Sequence, residues 1–138
     1  MANCDVLRLL IVDDVKVHLF LMRTGLLRID PFMIVDVAAS MKEAQVSLTE
    51  NTYDAVVCDW VMPGGGGHEL LQWMRKRPHY NRVPFIMVSA RDESADVIQA
   101  FVEHGVDDYA TKPFTPEIVL KKVLGAIERR KNKQIAAA

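Results

Sequence analysis

Short apolar runs alternate with segments of helical period from one end of the chain to the other. The runs predict five strands, at 7–12, 33–39, 53–58, 85–88 and 108–110. Between them, apolar residues recur every three or four positions, which is typical of helices with one buried face. The pattern therefore predicts five β-α units in strict alternation.

Helix boundaries are marked by local signals. The spacing predicts helices over 16–27, from 41 to about 50 and over 69–76, and then a fourth helix with an apolar stripe at Val97, Ile98, Phe101 and Val102. Ser40 and Glu43 form a capping box at the start of the second helix. Gly105 is predicted to close the fourth helix, and Thr115 to cap the last one ahead of Pro116.

This alternation favours an α/β fold with a five-stranded parallel sheet and helices on both faces. Five strands suit an open, doubly wound sheet of order 2-1-3-4-5, whereas a closed barrel of eight units would need nearly twice the length. We expect a single domain over residues 1–129. Residues 130–138 are interpreted as a frayed polar C-terminal tail or a remnant of cloning.

Composition narrows the class of protein. The 138 residues are 50% apolar and 25% charged, the balance of a globular domain. A net charge of −1 argues against a general nucleic-acid binder, and no segment resembles a membrane span or a signal peptide. Cys4 and Cys58 match neither a disulfide framework nor a metal pair, so we expect a reduced, cytoplasmic protein.

Polar residues gather at the predicted carboxyl ends of four strands. Asp13 and Asp14 follow the first strand and Asp59 follows the third, while Ser89 and Lys112 end the fourth and fifth. Each alone is an ordinary turn former, helix cap or surface lysine. In a 2-1-3-4-5 sheet, however, these four strands are neighbours, and ligands bind where the strand order reverses.

Three carboxylates this close would repel one another unless a cation joined them. Mg²⁺ accepts two or three carboxylates together with water, and Lys112 would complete the neutralisation. Such a site could receive a phosphoryl group, with Lys112 and Ser89 holding its oxygens. Asp59, on the central strand of the site, is the best placed nucleophile for an aspartyl phosphate.

Four motifs carry a resemblance to a known family. They are IVDD at 11–14, DWVMPGGGG at 59–67, VSA at 88–90 and DDYATKPF at 107–114. Over about residues 7–129 the chain resembles the receiver domain of two-component response regulators, most of all the stand-alone CheY-like chemotaxis type. The resemblance implies the flavodoxin-like (βα)5 fold and a role in phosphorelay signal transduction.

The family pattern also implies roles for individual residues. Asp59 would accept a phosphoryl group from a histidine kinase, a histidine phosphotransfer protein or a small donor. Asp13 and Asp14 would bind Mg²⁺, one of these two either directly or through a water molecule, together with Asp59 and the backbone carbonyl of Val61. Lys112, ahead of a cis peptide to Pro113, would contact the phosphoryl group.

The same resemblance implies a switch. Ser89 would move toward the phosphoryl oxygens and Tyr109 would turn inward behind it, remodelling the face formed by the fourth helix, fifth strand and fifth helix. A downstream protein would bind there, with no direct nucleic-acid or membrane contact by this chain. Val61 and Arg91 occupy positions that tune the lifetime of the phosphorylated state in this family.

Two other functions are compatible with this set of residues. A Mg²⁺-dependent phosphohydrolase with an aspartyl-phosphate intermediate is the alternative function, and an inert receiver-like interaction module is a third.

Two further features of the sequence bear on the site. Gly66-Gly67 replaces the Asp-Gly that is common in receiver domains, so we expect an unusually free loop without an acidic cap for the third helix. The histidines, His18, His68, His79 and His104, lack zinc-ligand spacing and are interpreted as surface residues.

Overall fold

The computed structural model describes residues 6–64, 66–89 and 105–137. Its strands are β1 (Arg8–Val12), β2 (Ile34–Ala38), β3 (Ala55–Asp59), β4 (Phe85–Ser89) and β5 (Asp108–Thr111). Its helices are α1 (Lys16–Ile29), α2 (Met41–Glu50), α3 (Gly67–Arg75) and α4 (Pro116–Ala137). The predicted fourth helix lies outside the described residues, so α4 is the predicted last helix.

The five strands form one parallel sheet in the order β2-β1-β3-β4-β5, which confirms the predicted topology. Val12 at the end of β1 lies opposite both Ala38 and Cys58. Asp59 lies opposite Val88, and Ser89 lies opposite Thr111. The carboxyl ends of the strands are therefore level, and the residues that follow them meet at one edge.

Helices cover both faces of the sheet. One apolar cluster joins the sheet to Ala44 and Leu48 of α2 and to Leu70, Leu71 and Met74 of α3. The other joins it to α1 and α4, through buried residues that include Leu19, Met22, Leu26, Val119, Val123 and Ala126. All residues of β3 and β4 are buried, as expected of central parallel strands. Burying each large apolar side chain contributes about 1.5–3 kcal/mol.

The predicted caps of two helices are confirmed. The Ser40 hydroxyl accepts a hydrogen bond from the Glu43 N–H at 3.1 Å, and the Glu43 carboxylate accepts one from the Ala39 N–H at 2.9 Å. At the start of α4, the Thr115 hydroxyl accepts from the Ile118 N–H at 3.2 Å. These contacts satisfy backbone donors that the first turn of a helix leaves unpaired.

The start of α3 differs from the expectation. The helix begins at Gly67, two residues before the predicted start, and Gly66 at the cap position has no side chain to accept a hydrogen bond. The Glu69 carboxylate instead accepts from the Gly66 N–H at 2.7 Å. Gly66, and not an acidic residue, thus occupies the cap position as predicted, while Glu69 in the first turn binds the backbone ahead of the helix and anchors the end of the glycine-rich loop.

The chain after residue 129 is helical rather than frayed, because α4 continues to Ala137. Arg130 donates to both carboxylate oxygens of Asp107, at 2.6 and 3.1 Å. Arg75 donates to the same carboxylate at 3.2 Å, as does the Phe85 N–H at 2.8 Å. This pairing over a long sequence distance holds the helix against the amino-terminal end of β5. A domain boundary at 129 stays a prediction.

No helix in the described parts of the chain is both long enough and apolar enough to cross a membrane.

Candidate functional site

The three predicted carboxylates meet at the carboxyl edge of the sheet. One carboxylate oxygen from each of Asp13, Asp14 and Asp59 lies within 4.8 Å of the others. Asp13 and Asp59 are buried, whereas Asp14 is exposed. The adjacency of β1 and β3 in the sheet order brings the three together, as the sequence predicts.

Backbone contacts fix the positions of the two buried aspartates. The Asp13 N–H donates to the Ala38 carbonyl at 3.1 Å, which extends the pairing of β1 with β2. The Asp13 Oδ1 atom accepts from the Val15 N–H at 2.9 Å and so shapes the turn into α1. After Asp59, the Trp60 N–H donates to the Val88 carbonyl at 2.9 Å. These contacts fix the backbone of both aspartates at the sheet edge.

Lys112 supplies the nearest positive charge. Its Nζ lies 3.2 Å from Asp59 Oδ2 and 3.9 Å from Asp13 Oδ2. The Lys112 N–H donates to the Ser89 carbonyl at 2.9 Å, which ties the residue to the end of β4. The peptide bond from Lys112 to Pro113 is cis, as the resemblance implies. Lys112 is thus placed between the two buried aspartates.

The electrostatics of the cluster are unfavourable for negative charge. Burial raises the pKa of Asp59, Lys112 opposes that effect, and the charge of Asp13 raises the pKa further. A hydrogen bond from the Val61 backbone also favours the ionised form, but the net direction remains upward. Oxygen ligands from three clustered carboxylates match the preference of Mg²⁺, which would relieve this repulsion. The donor set therefore fits a hard divalent cation.

Ser89 ends β4 with its hydroxyl group buried. The side chain is 1% exposed, and its Oγ has no hydrogen-bond partner among the described residues. Leaving a buried hydroxyl unpaired costs about 1–3 kcal/mol. The Ser89 hydroxyl is therefore a hydrogen-bond donor and acceptor at the carboxyl edge of the sheet that no described residue satisfies.

Two other predicted residues lie further out. Tyr109 is half-buried against the apolar cluster on the α2 and α3 side, with Lys122 Nζ 5.7 Å from its ring centre. Its strand partner is Met87, and Ser89 is two residues further along β4, so Ser89 and Tyr109 share a face of the sheet. The Val61 side chain is exposed. Arg91 lies outside the described residues.

His18 is a neighbour of the site that the sequence interpretation passed over. Its Nδ1 lies 3.1 Å from Asp13 Oδ2, although the side chain is 46% exposed, in keeping with a surface position. The ends of the predicted strands give no indication of it, because it belongs to the first turn of α1. Its place five residues after Asp13, on the helix that this aspartate opens, was the available signal.

Cys58, one residue before Asp59, has no part in this chemistry. It is fully buried in the apolar cluster on the α2 and α3 side of the sheet. Burial raises the pKa of its thiol well above the ordinary value, and the charges of Asp59 and Asp13 act in the same direction. The thiolate is therefore strongly disfavoured.

Comparison with known proteins gives one consistent family. A family model described as the response regulator receiver domain matches residues 9–124. The chain is 35% identical over 97 residues to the phosphate regulon transcriptional regulatory protein PhoB of Rhizobium meliloti, covering 70% of this chain and 42% of that protein. It is 32% identical over 118 residues to a chemotaxis protein CheY homolog of Campylobacter jejuni, covering 85% and 89%.

Comparison with solved structures gives the same fold. The receiver domain of a Francisella response regulator is similar with a TM-score of 0.75 and 32% identity, covering 88% of this chain and 97% of that one. A CheY-like receiver domain protein of Methanospirillum hungatei shares the fold, with a TM-score of 0.81 at 24% identity. The chain spans less than half of the length of PhoB, so the activity of that whole protein is not transferred.

The raised pKa of Asp59 predicts a pH-dependent stability difference. The folded protein binds this proton more tightly than the unfolded chain, so stability is lost as pH rises from the ordinary value of 3.8 through the folded value. Asp59→Asn should therefore unfold at higher urea concentration than the wild type at neutral pH without divalent metal. The difference should shrink as pH falls toward 3.8. A difference that does not change with pH would contradict this electrostatic account.

Proposed function

Because this chain belongs to the response regulator receiver domain family, we propose that it is a Mg²⁺-dependent phosphoacceptor switch. Asp59 takes a phosphoryl group from a histidine kinase or a histidine phosphotransfer protein and thereby changes the affinity of the domain for a downstream protein. The observation that carries the proposal is the buried Asp59 carboxylate, grouped with Asp13 and Asp14 and 3.2 Å from Lys112 Nζ.

The transfer step is a displacement at phosphorus. An Asp59 carboxylate oxygen forms the new P–O bond while the P–N bond to the donor histidine breaks, and the electron pair of that bond goes to the imidazole nitrogen. The raised pKa of Asp59 matches a carboxylate that burial leaves less stabilised and hence more nucleophilic. Positioning and charge stabilisation supply most of the catalysis in such transfers.

Several groups would neutralise or bind the phosphoryl oxygens during the transfer. Mg²⁺, held by Asp13, Asp14, Asp59 and the Val61 carbonyl, would supply positive charge for the phosphoryl oxygens. Lys112 turns from the carboxylate to a phosphoryl oxygen, since its Nζ already lies within 4 Å of both buried aspartates. The buried Ser89 hydroxyl donates to another oxygen and gains the partner that it lacks among the described residues.

The same contacts explain how a local charge could alter a distant surface. A phosphoryl group brings about 1.5 to 2 negative charges and new acceptor oxygens. Drawing Ser89 and Lys112 inward shifts the ends of β4 and β5, and Tyr109 lies on the Ser89 face of those strands. We expect the downstream protein to bind the face formed by the predicted fourth helix, β5 and α4.

A phosphohydrolase with an aspartyl-phosphate intermediate is the alternative. Enzymes of that type are expected to carry an acid two residues after the nucleophile, and that residue here is Val61. Its side chain is exposed and apolar, so it cannot protonate a leaving group. Multiple turnovers on small phosphate esters would favour the enzyme over the switch.

Replacing Asp59 should abolish phosphorylation. Incubation of the wild type with acetyl phosphate and Mg²⁺ should add a single phosphoryl group, which intact-protein mass spectrometry detects, and Asp59→Asn should add none. Removing Mg²⁺ with EDTA should prevent labelling of the wild type. Asp54→Asn is a matched control, because Asp54 precedes β3 at the opposite end and accepts from the Arg8 N–H. Persistent labelling of Asp59→Asn would move the acceptor elsewhere.

Replacing Lys112 should separate phosphorylation from switching. Lys112→Ala should still take up a phosphoryl group, since Asp59 and the metal ligands remain. The ¹⁹F resonance of fluorotyrosine at position 109, assigned with Tyr109→Phe, should shift on phosphorylation of the wild type and stay in place in Lys112→Ala. Lys121→Ala, an exposed lysine on α4, should behave like the wild type. A full shift in Lys112→Ala would contradict the role of Lys112.

A further inference from the structure

Asp13 has its two carboxylate oxygens bound in different ways. Oδ1 accepts from the Val15 N–H at 2.9 Å, while Oδ2 lies 3.1 Å from the Nδ1 atom of His18. This contact is a hydrogen bond to a carboxylate oxygen when His18 Nδ1 carries the proton and donates. Together the two donors fix the rotation of the carboxylate plane about its bond to the chain.

Each buried aspartate has its own close donor. Lys112 Nζ is nearer to Asp59, at 3.2 Å, than to Asp13, at 3.9 Å. When Lys112 moves to the phosphoryl group, its weaker contact with Asp13 is lost. His18 then remains as the side chain that holds Asp13 among the described contacts.

His18 lies between an apolar groove and the acidic cluster. Its backbone N–H donates to the Val15 carbonyl at 3.0 Å, in the first turn of α1. The residue lines a groove of about 450 Å³ with Leu21, Met22 and Phe114, and it also lines a small space together with Asp13 and Asp59. The side chain therefore joins an apolar wall to the acidic cluster.

We propose that His18 is a positioning residue that orients Asp13 for binding Mg²⁺. This inference rests on the proposed function, because it assigns a supporting role at the same site. Side chains that hydrogen-bond to metal ligands commonly change metal affinity by about 10- to 100-fold when they are removed. His18 needs no contact with the metal itself, since it acts through Asp13 Oδ2.

Calorimetric titration of the full chain with MgCl₂ tests the role. His18→Ala should weaken Mg²⁺ binding by about 10- to 100-fold. His18→Asn should recover most of the affinity, because its amide nitrogen stands where Nδ1 stands in histidine. His18→Gln should recover less, because its amide nitrogen lies further from the backbone, near the place of Nε2. Leu21→Ala, which alters the same groove, is the control and should bind like the wild type.

A second measurement needs no metal. In mildly alkaline, Mg²⁺-free buffer, ¹⁵N NMR of the wild-type imidazole should show the proton of His18 on Nδ1, the less common tautomer of a free histidine. Asp13→Asn should lose this preference, because a neutral amide is a weaker acceptor and can turn its NH₂ group toward the ring. A His18 proton on Nε2 in the wild type would overturn the inference even if a variant failed to fold.

The results of these experiments distinguish the role of His18 from the proposed phosphoacceptor function. Wild-type affinity in His18→Ala, with Mg²⁺ binding by the wild type intact, would overturn the role of His18 and leave the phosphoacceptor function standing. Absence of Mg²⁺ binding by the wild type would instead contradict the proposed function on which the inference rests. Loss in His18→Ala with equal loss in His18→Asn would also overturn the positioning role, because restoring the donor would then have no effect.

Discussion

Like-charge repulsion among three carboxylates is the constraint around which the functional edge of this sheet is arranged. Parallel pairing places the ends of β1 and β3 side by side, so Asp13, Asp14 and Asp59 must share one small volume. Burial adds to the cost, and the pKa of Asp59 is raised accordingly. The extensive apolar contacts on both sheet faces supply the stability that lets the fold tolerate such a site.

Residues around the cluster place hydrogen-bond donors beside the buried carboxylates. Lys112 lies beside Asp59, and His18 lies beside Asp13. Ser89 contributes a buried hydroxyl with no partner among the residues described. The cluster is suited to gaining a cation, since a positive charge relieves the repulsion among the carboxylates. A phosphoryl group would then give the buried Ser89 hydroxyl a partner. Signalling in this account uses these new contacts to shift the ends of β4 and β5.

The sheet and its acidic edge could be predicted because they depend on local pattern. Alternating apolar runs determine the topology, and Asp13, Asp59 and Lys112 follow strands whose ends must meet. His18 was missed because its role depends on a side-chain rotamer in the first turn of a helix. The helical chain after residue 129 was missed because Arg130 pairs with Asp107, a contact between residues far apart in sequence. Likewise, Glu69 supports the start of α3 from inside the helix.

The most direct test of the phosphoacceptor account uses Trp60, which follows Asp59. Its fluorescence can be isolated in a Trp73→Phe background, because the chain has two tryptophans. The account predicts a saturable change on adding Mg²⁺ and a second saturable change on adding beryllium fluoride, which mimics the phosphoryl group. Both changes should be greatly reduced in Asp59→Asn. A response to beryllium fluoride that is independent of Mg²⁺ or survives Asp59→Asn would contradict the account, as would the absence of both responses together with no calorimetric binding of Mg²⁺.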